Sequence, residues 1–249
     1  MSAPTTESLP AQAPPNPTIS SPPSDLYSDE PPLESYQHLQ QLLLLLKCLD
    51  WLWQDRNDYF AAGNLTVYYS ARKLKSEDFR GPDFFVVLDT EKRPRKSWMV
   101  WEEGGKYPNI IVELLSDSTA TIDRGKKKQI YQDIFRTPEY FWFDPHNLEV
   151  EGFQLSNGRY QTIPANDRGW RWSEQLGLYL GIHQGQLRFF SAEGALVPTP
   201  EESAAAAQQR AENAEQRIEN AEQRVEAERQ RNERLMAKLQ ELGVDPDTV

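Results

Sequence analysis

Glu113 is the single carboxylate in an otherwise apolar run, Ile110-Ile111-Val112-Glu113-Leu114-Leu115, and a basic helix follows soon after. Burying an unpaired charge is costly, so Glu113 must be paired, protonated or bound to a cation. Asp83 stands in a comparable place. It follows the Gly81-Pro82 turn and precedes Phe84-Phe85-Val86-Val87-Leu88, a run with the composition of a buried strand. Beyond Glu113, the residues Asp123, Lys127 and Tyr131 recur four apart and share one helical face. Lys126 and Lys128 lie about 100° to either side of Lys127 and point elsewhere. Other chemistries find little support. His38, His146 and His183 are far apart and match no zinc spacing, and Cys48 is the only cysteine. No serine sits in a nucleophile elbow, and no glycine-rich phosphate loop occurs. What remains is carboxylates, a lysine and a divalent cation.

The elements that must position these groups can be read in outline. A helix is expected from Leu33 to about Asp55, with Tyr36, Leu39, Leu42, Leu43, Leu46, Leu49 and Trp53 on its apolar face. Strands are expected at Leu65–Ser70, Phe84–Leu88, Ser97–Glu103 and Asn109–Leu115. Ser116, Ser118, Thr119 and Thr121 offer caps for the helix that carries Lys127. A strand at Tyr140–Phe143 follows, then two more on either side of Asn157-Gly158, a strong hairpin signal.

Both ends differ from this body. Residues 1–33 hold nine of the eighteen prolines and no Lys or Arg, and this stretch is read as a disordered tail. Residues 200–243 carry a sevenfold repeat. Ala211, Ile218, Val225, Asn232 and Leu239 fall on one seam position; Ala214, Ala221, Glu228, Leu235 and Leu242 fall on the other. A coiled-coil helix that pairs two copies through 211–242 is the expectation, with 244–249 as a short tail. The net charge of -11 is concentrated in these two ends and leaves the body between them near neutrality. Basic clusters in the body, at Lys73/Lys75, Lys92–Lys96 and Lys126–Lys128, could therefore meet a phosphate backbone. A lone cysteine, no secretory start and no membrane-length apolar run fit a reduced, cytoplasmic setting.

The order helix, strand, strand with Asp83, strand with Glu113, helix with Lys127, strand resembles the core of the PD-(D/E)XK nuclease superfamily. Gly81-Pro82-Asp83, then Glu113-Leu114-Leu115-Ser116-Asp117-Ser118-Thr119, Asp123-Arg124-Gly125 with Lys127 and Tyr131, and Pro138-Glu139-Tyr140-Phe141-Trp142-Phe143-Asp144-Pro145 carry the likeness to its bacterial restriction-endonuclease branch. The likeness covers roughly residues 34–195. It implies an α/β (α+β) fold, a restriction-endonuclease-like core whose central mixed β-sheet is flanked by helices, within a domain at 34–197. It also implies Mg²⁺, with Mn²⁺ as a substitute, held by Asp83, Glu113 and the main-chain carbonyl of Leu114. The superfamily places a lysine two residues past the Glu. Leu115 stands there in this chain, so Lys127 is expected to reach across from the helix, with Asp123 and Tyr131 positioning it. Glu34 resembles the accessory acid of the first helix, and Lys126 and Lys128 are expected at the DNA backbone.

Two classes of function stay open at this point. One is a Mg²⁺-dependent DNA endonuclease, dimeric through its coiled coil. The other is a catalytically weak or inactive nuclease-fold module that binds and recruits partners through the terminal helix.

Overall fold

The computed structural model describes residues 24–30, 32–33, 35–70, 79–116 and 123–242. The first helix, α1 (Tyr36–Leu52), starts where Ser35 accepts a hydrogen bond from the His38 N–H. It buries Gln41, Leu42, Leu45, Cys48 and Leu49, whereas Tyr36, Leu39 and Leu43, expected on the inner face, are exposed. The reason lies in Gln41. Its amide donates to the Leu187 carbonyl at 2.9 Å and accepts from the Leu187 N–H at 3.0 Å, which turns the helix so that its polar residue closes a strand edge.

Six strands form the central sheet: β1 (Tyr59–Gly63), β4 (Phe84–Leu88), β6 (Ile110–Leu114), β7 (Glu139–Asp144), β8 (Glu149–Ser156) and β9 (Arg159–Thr162), in the order β1-β4-β6-β7-β8-β9. Only β6 and β7 run parallel, so the sheet is mixed, as expected. Between them runs α2, which is π-helical over Asp123–Lys127, α-helical over Lys128–Ile130 and π-helical over Tyr131–Phe135. Two small sheets complete the body. One holds β2 (Val67–Tyr68), β3 (Phe79–Arg80) and β5 (Trp98–Met99); the other holds β10 (Arg171–Ser173), β11 (Leu178–His183) and β12 (Gln186–Phe190). β1 was not anticipated, and the strand expected at Ser97–Glu103 keeps two residues before the chain turns through Met99–Gly105. The Asn157-Gly158 hairpin forms with both residues at positive φ, as a primed turn requires.

Central strands are covered on both faces, which explains their near-continuous apolar runs. Phe84, Val86, Ile110, Val112 and Leu114 face α1 and the β10–β12 sheet. Phe85, Val87, Ile111 and Leu115 face the layer that contains Ile130, Tyr131 and Phe135 of α2. Alternation along β6 puts Glu113 on this second face, beneath α2.

Part of the proline-rich segment belongs to the body. Ser28 N–H donates to the Lys96 carbonyl at 3.0 Å, Ser97 Oγ donates to the Leu26 carbonyl at 2.7 Å, and Tyr68 Oη donates to the Tyr27 carbonyl at 2.9 Å. Residues 24–30 thus lie along β2 and β5, and the expectation of disorder up to residue 33 is corrected for them. Main-chain groups make most of these bonds, and composition does not report main-chain bonding.

The last helix, α3 (Pro200–Glu241), opens with a capping box between Thr199 and Glu202 and Pro200 at its first position. Arg188, nearly buried, donates to both Glu202 carboxyl oxygens at 2.9 and 2.6 Å and ties the helix start to β12. From there α3 extends about 63 Å at 1.5 Å per residue, and none of its residues is buried. Among the described residues no helix is long and apolar enough to cross a membrane.

Candidate active site

Asp83 sits at the mouth of β4, and β6 runs antiparallel beside it with Phe84 opposite Val112. Asp83 Oδ2 accepts the Leu114 N–H at 2.7 Å, and the Asp83 N–H reaches Glu113 Oε2 at 3.3 Å. Each carboxylate is therefore held by a main-chain amide of the neighbouring strand end, Asp83 by Leu114 and Glu113 by Asp83. In an extended residue the carbonyl leaves on the same strand edge as the N–H, so the Leu114 carbonyl also points to the Asp83 side.

Glu113 is fully buried, and its charge is met on both oxygens. Lys127 Nζ lies 3.1 Å from Oε2, and Tyr131 Oη donates to Oε1 at 2.6 Å. Lys127 and Tyr131 come from one face of α2, and its π-helical turns lie at these residues; such turns recur at functional sites. Tyr131 was expected to position Lys127. Its hydroxyl holds the carboxylate that Lys127 also contacts.

His38 Nε2 lies 3.1 Å from Asp83 Oδ1, with the imidazole about nine-tenths buried. Burial pushes the Asp83 carboxyl up, but the His38 contact, the Lys127 charge and the Leu114 amide outweigh it and hold the group below the usual carboxylate range. The histidines match no zinc spacing and were set aside on that ground, so this neighbour was missed. The available signal was helical: His38 lies three and four residues before Gln41 and Leu42, on the face that turns inward.

The remaining residues divide as follows. Leu115 is buried in the apolar layer with Tyr131, so no cation stands two residues past Glu113. Lys126 is exposed. Lys128 is half-buried, with its ammonium 3.2 Å from the Phe153 ring centroid, and burial pushes its pKa down. Asp123 opens α2, but its side chain lies outside the described residues, as do Glu34, Asp117 and the Lys73/Lys75 cluster. A cavity of about 390 Å³ at the end of β6 is lined by His38, Leu114, Leu115, Phe143 and His146 among others, and by neither acid.

Two carboxylates on adjacent strands of a mixed sheet, with a lysine from the following helix on the second acid, make the core of a PD-(D/E)XK-type fold. The chain belongs to the Uma2 family, described as "Putative restriction endonuclease", whose model matches residues 25–189. The "Uncharacterized protein sll1609" of Synechocystis sp. is 29% identical over 103 residues, 41% of this chain and 51% of that protein. The chain thus matches about half the length of that curated relative. Among solved structures, a "putative nuclease belonging to DUF820" from Anabaena variabilis is similar with a TM-score of 0.42 and 12% identity, over 59% of this chain and 76% of that one.

Proposed function

We propose that this protein is a Mg²⁺-dependent DNA endonuclease, with Asp83 and Glu113 as metal-holding acids and Lys127 as the catalytic lysine. The observation that carries this reading is the convergence of all three: Asp83 on the Leu114 amide, and Lys127 on Glu113.

The donor set fits a hard divalent cation. Two carboxylates and the Leu114 carbonyl are all oxygen donors, and Mg²⁺ needs few protein ligands because it keeps several waters. When bound, the cation supplies Lewis acidity and neutralises charge at the scissile phosphate. The protein groups do the rest. Tyr131 fixes Glu113 through Oε1 and leaves Oε2 turned to Asp83 and Lys127. Lys127, a fifth exposed, can swing from Glu113 to orient the attacking water and offset charge that grows on the phosphate. His38 holds Asp83 ionised and fixes its rotamer.

The strand-end placement of the acids and exposed Lys126 suit contact with a nucleic-acid backbone. The exposed seam of α3, with Ile218, Val225, Leu235 and Leu242 all at least half exposed, supports a homodimer that would set two sites against two strands. The test is nicking of supercoiled plasmid in Mg²⁺ and in Mn²⁺. Cleavage by the wild type that disappears in Asp83→Ala and Glu113→Gln is the expected result. Clean protein that cuts no DNA form over a range of both metals favours the binding-module reading.

A further inference from the structure

The cavity at the end of β6 is used neither by the acids nor by Lys127. Its floor is apolar, with Leu114, Leu115 and Phe143 each at most 3% exposed. Its rim is polar and open, with Gln37 exposed and Gln40 and Gln186 half-buried. None of the described residues that line it is an Asp, Glu, Lys or Arg. A phosphate, carboxylate or ammonium would find no counter-charge there. The amides of Gln37, Gln40 and Gln186 offer donors and acceptors to a neutral polar edge instead. Gln41 also lines the cavity, but its amide is committed to Leu187. An apolar floor, a few neutral polar groups and a volume of about 390 Å³ are the features of a site for one small neutral group.

The cavity adjoins the carboxyl ends of β6 and β7, the parallel pair of the sheet. Two of its lining residues touch Asp83: Leu114 gives it a main-chain N–H at 2.7 Å, and His38 Nε2 lies 3.1 Å from Oδ1. One imidazole thus stands between a neutral cavity and an acid of the site, as one sugar stands between a neutral base and its charged phosphate. We propose that the cavity receives one nucleobase of the strand to be cut, turned out of the base stack while its phosphate lies at Asp83 and Glu113. The floor takes the apolar face of the base, and the rim amides take its hydrogen-bonding edge. Unstacking is least costly for a base that is mismatched or already unpaired. The substrate class is therefore DNA with an unpaired or mismatched base beside the scissile phosphate, chosen by the weakness of one base pair.

This inference rests on the nuclease reading, and its test measures binding rather than cleavage. Full-length protein is titrated by fluorescence anisotropy, in EDTA and in Ca²⁺, with duplexes that differ at one position: a normal base pair, a mismatch, or two abasic residues opposite each other. All three present the same phosphates, so their affinity ratios isolate the base. The wild type should bind the mismatched duplex about tenfold or more tighter than the paired one, and the abasic duplex without that preference. Gln40→Trp fills the cavity from its rim and should bring the preference close to one, while affinity for the paired duplex and the unfolding temperature stay at wild-type values. Gln186→Leu, from β12, removes an amide without adding bulk and should lower the preference in the same direction. Equal binding of paired and mismatched DNA by the wild type overturns the role of the cavity. So does a preference that persists in both variants or extends to the abasic duplex, since it then reflects DNA flexibility. Each of these results leaves the nuclease reading standing. Failure to bind any of the duplexes in either buffer overturns both.

Discussion

Removing one hydroxyl tests how Glu113 is held. In Tyr131→Phe the ring still fills its place against Phe135 and Tyr140, at centroid distances of 5.3 and 5.5 Å, so packing is conserved and the bond to Glu113 Oε1 is lost. Both partners are fully buried and the bond is 2.6 Å long, the range of charge-assisted O–H···O⁻ bonds. Bonds to a charged group are worth about 1.5–3 kcal/mol net, so a loss near 2 kcal/mol is expected. With a slope of about 2 kcal/mol/M, the urea midpoint should fall by about 1 M. A neutral acceptor halves such a bond. In a Glu113→Gln background the same change should therefore cost about 1 kcal/mol, a coupling that a double-mutant cycle resolves. Mn²⁺ affinity should fall by about tenfold, because Glu113 loses the group that orients it. A stability change below about 0.5 kcal/mol, with no coupling to Glu113, would refute the claim that Tyr131 fixes this carboxylate.

The two lysines beside Lys127 should behave differently. Lys126→Ala should weaken DNA binding and reduce the salt slope by about one charge, whereas Lys128→Ala should cost about 1 kcal/mol of stability through its lost contact with Phe153 and leave the salt slope intact; fluorescence anisotropy at several salt concentrations and urea unfolding separate them. Glu139 is buried, and burial raises its pKa against the opposing pull of Ser173 and the Glu174 and Gln175 amides. A raised folded pKa favours folding most below the unfolded value and loses that contribution as pH rises, so Glu139→Gln should gain stability relative to wild type as pH rises above about 4.5; a difference that stays constant with pH contradicts the assignment. For α3, Ile218→Asp with Val225→Asp should convert a dimer to a monomer in light scattering without lowering the unfolding temperature of the body, since no residue of α3 is buried; a wild type that is itself monomeric removes the dimer from the account.

Much of the candidate site is legible in the sequence because its signals are local. A single acid in an apolar run must be compensated, and Glu113 is met by Lys127 and Tyr131, both from the helix next in the chain. The alternation that buries Ile111 and Leu115 with Glu113 also fixes the face of β6 it occupies. His38 was illegible for the opposite reason. It reaches Asp83 from a distant point in the chain, through a helix rotation set by Gln41, and the 24–30 segment docks largely through its main chain. Proline content marks a segment that cannot build its own core, yet it does not forbid docking on another element's edge. The rotation of α1 was obscured by its leucine run, which offers an apolar residue at every angle, so that one glutamine decides the orientation.

The direct test of the central claim is anomalous diffraction from crystals grown with Mn²⁺. The account predicts one peak between the carboxylates of Asp83 and Glu113, at about 2.1–2.2 Å from an oxygen of each as hard divalent ions require, with Lys127 Nζ withdrawn from Glu113 Oε2. A peak elsewhere, or none at metal concentrations that support cleavage, would contradict it.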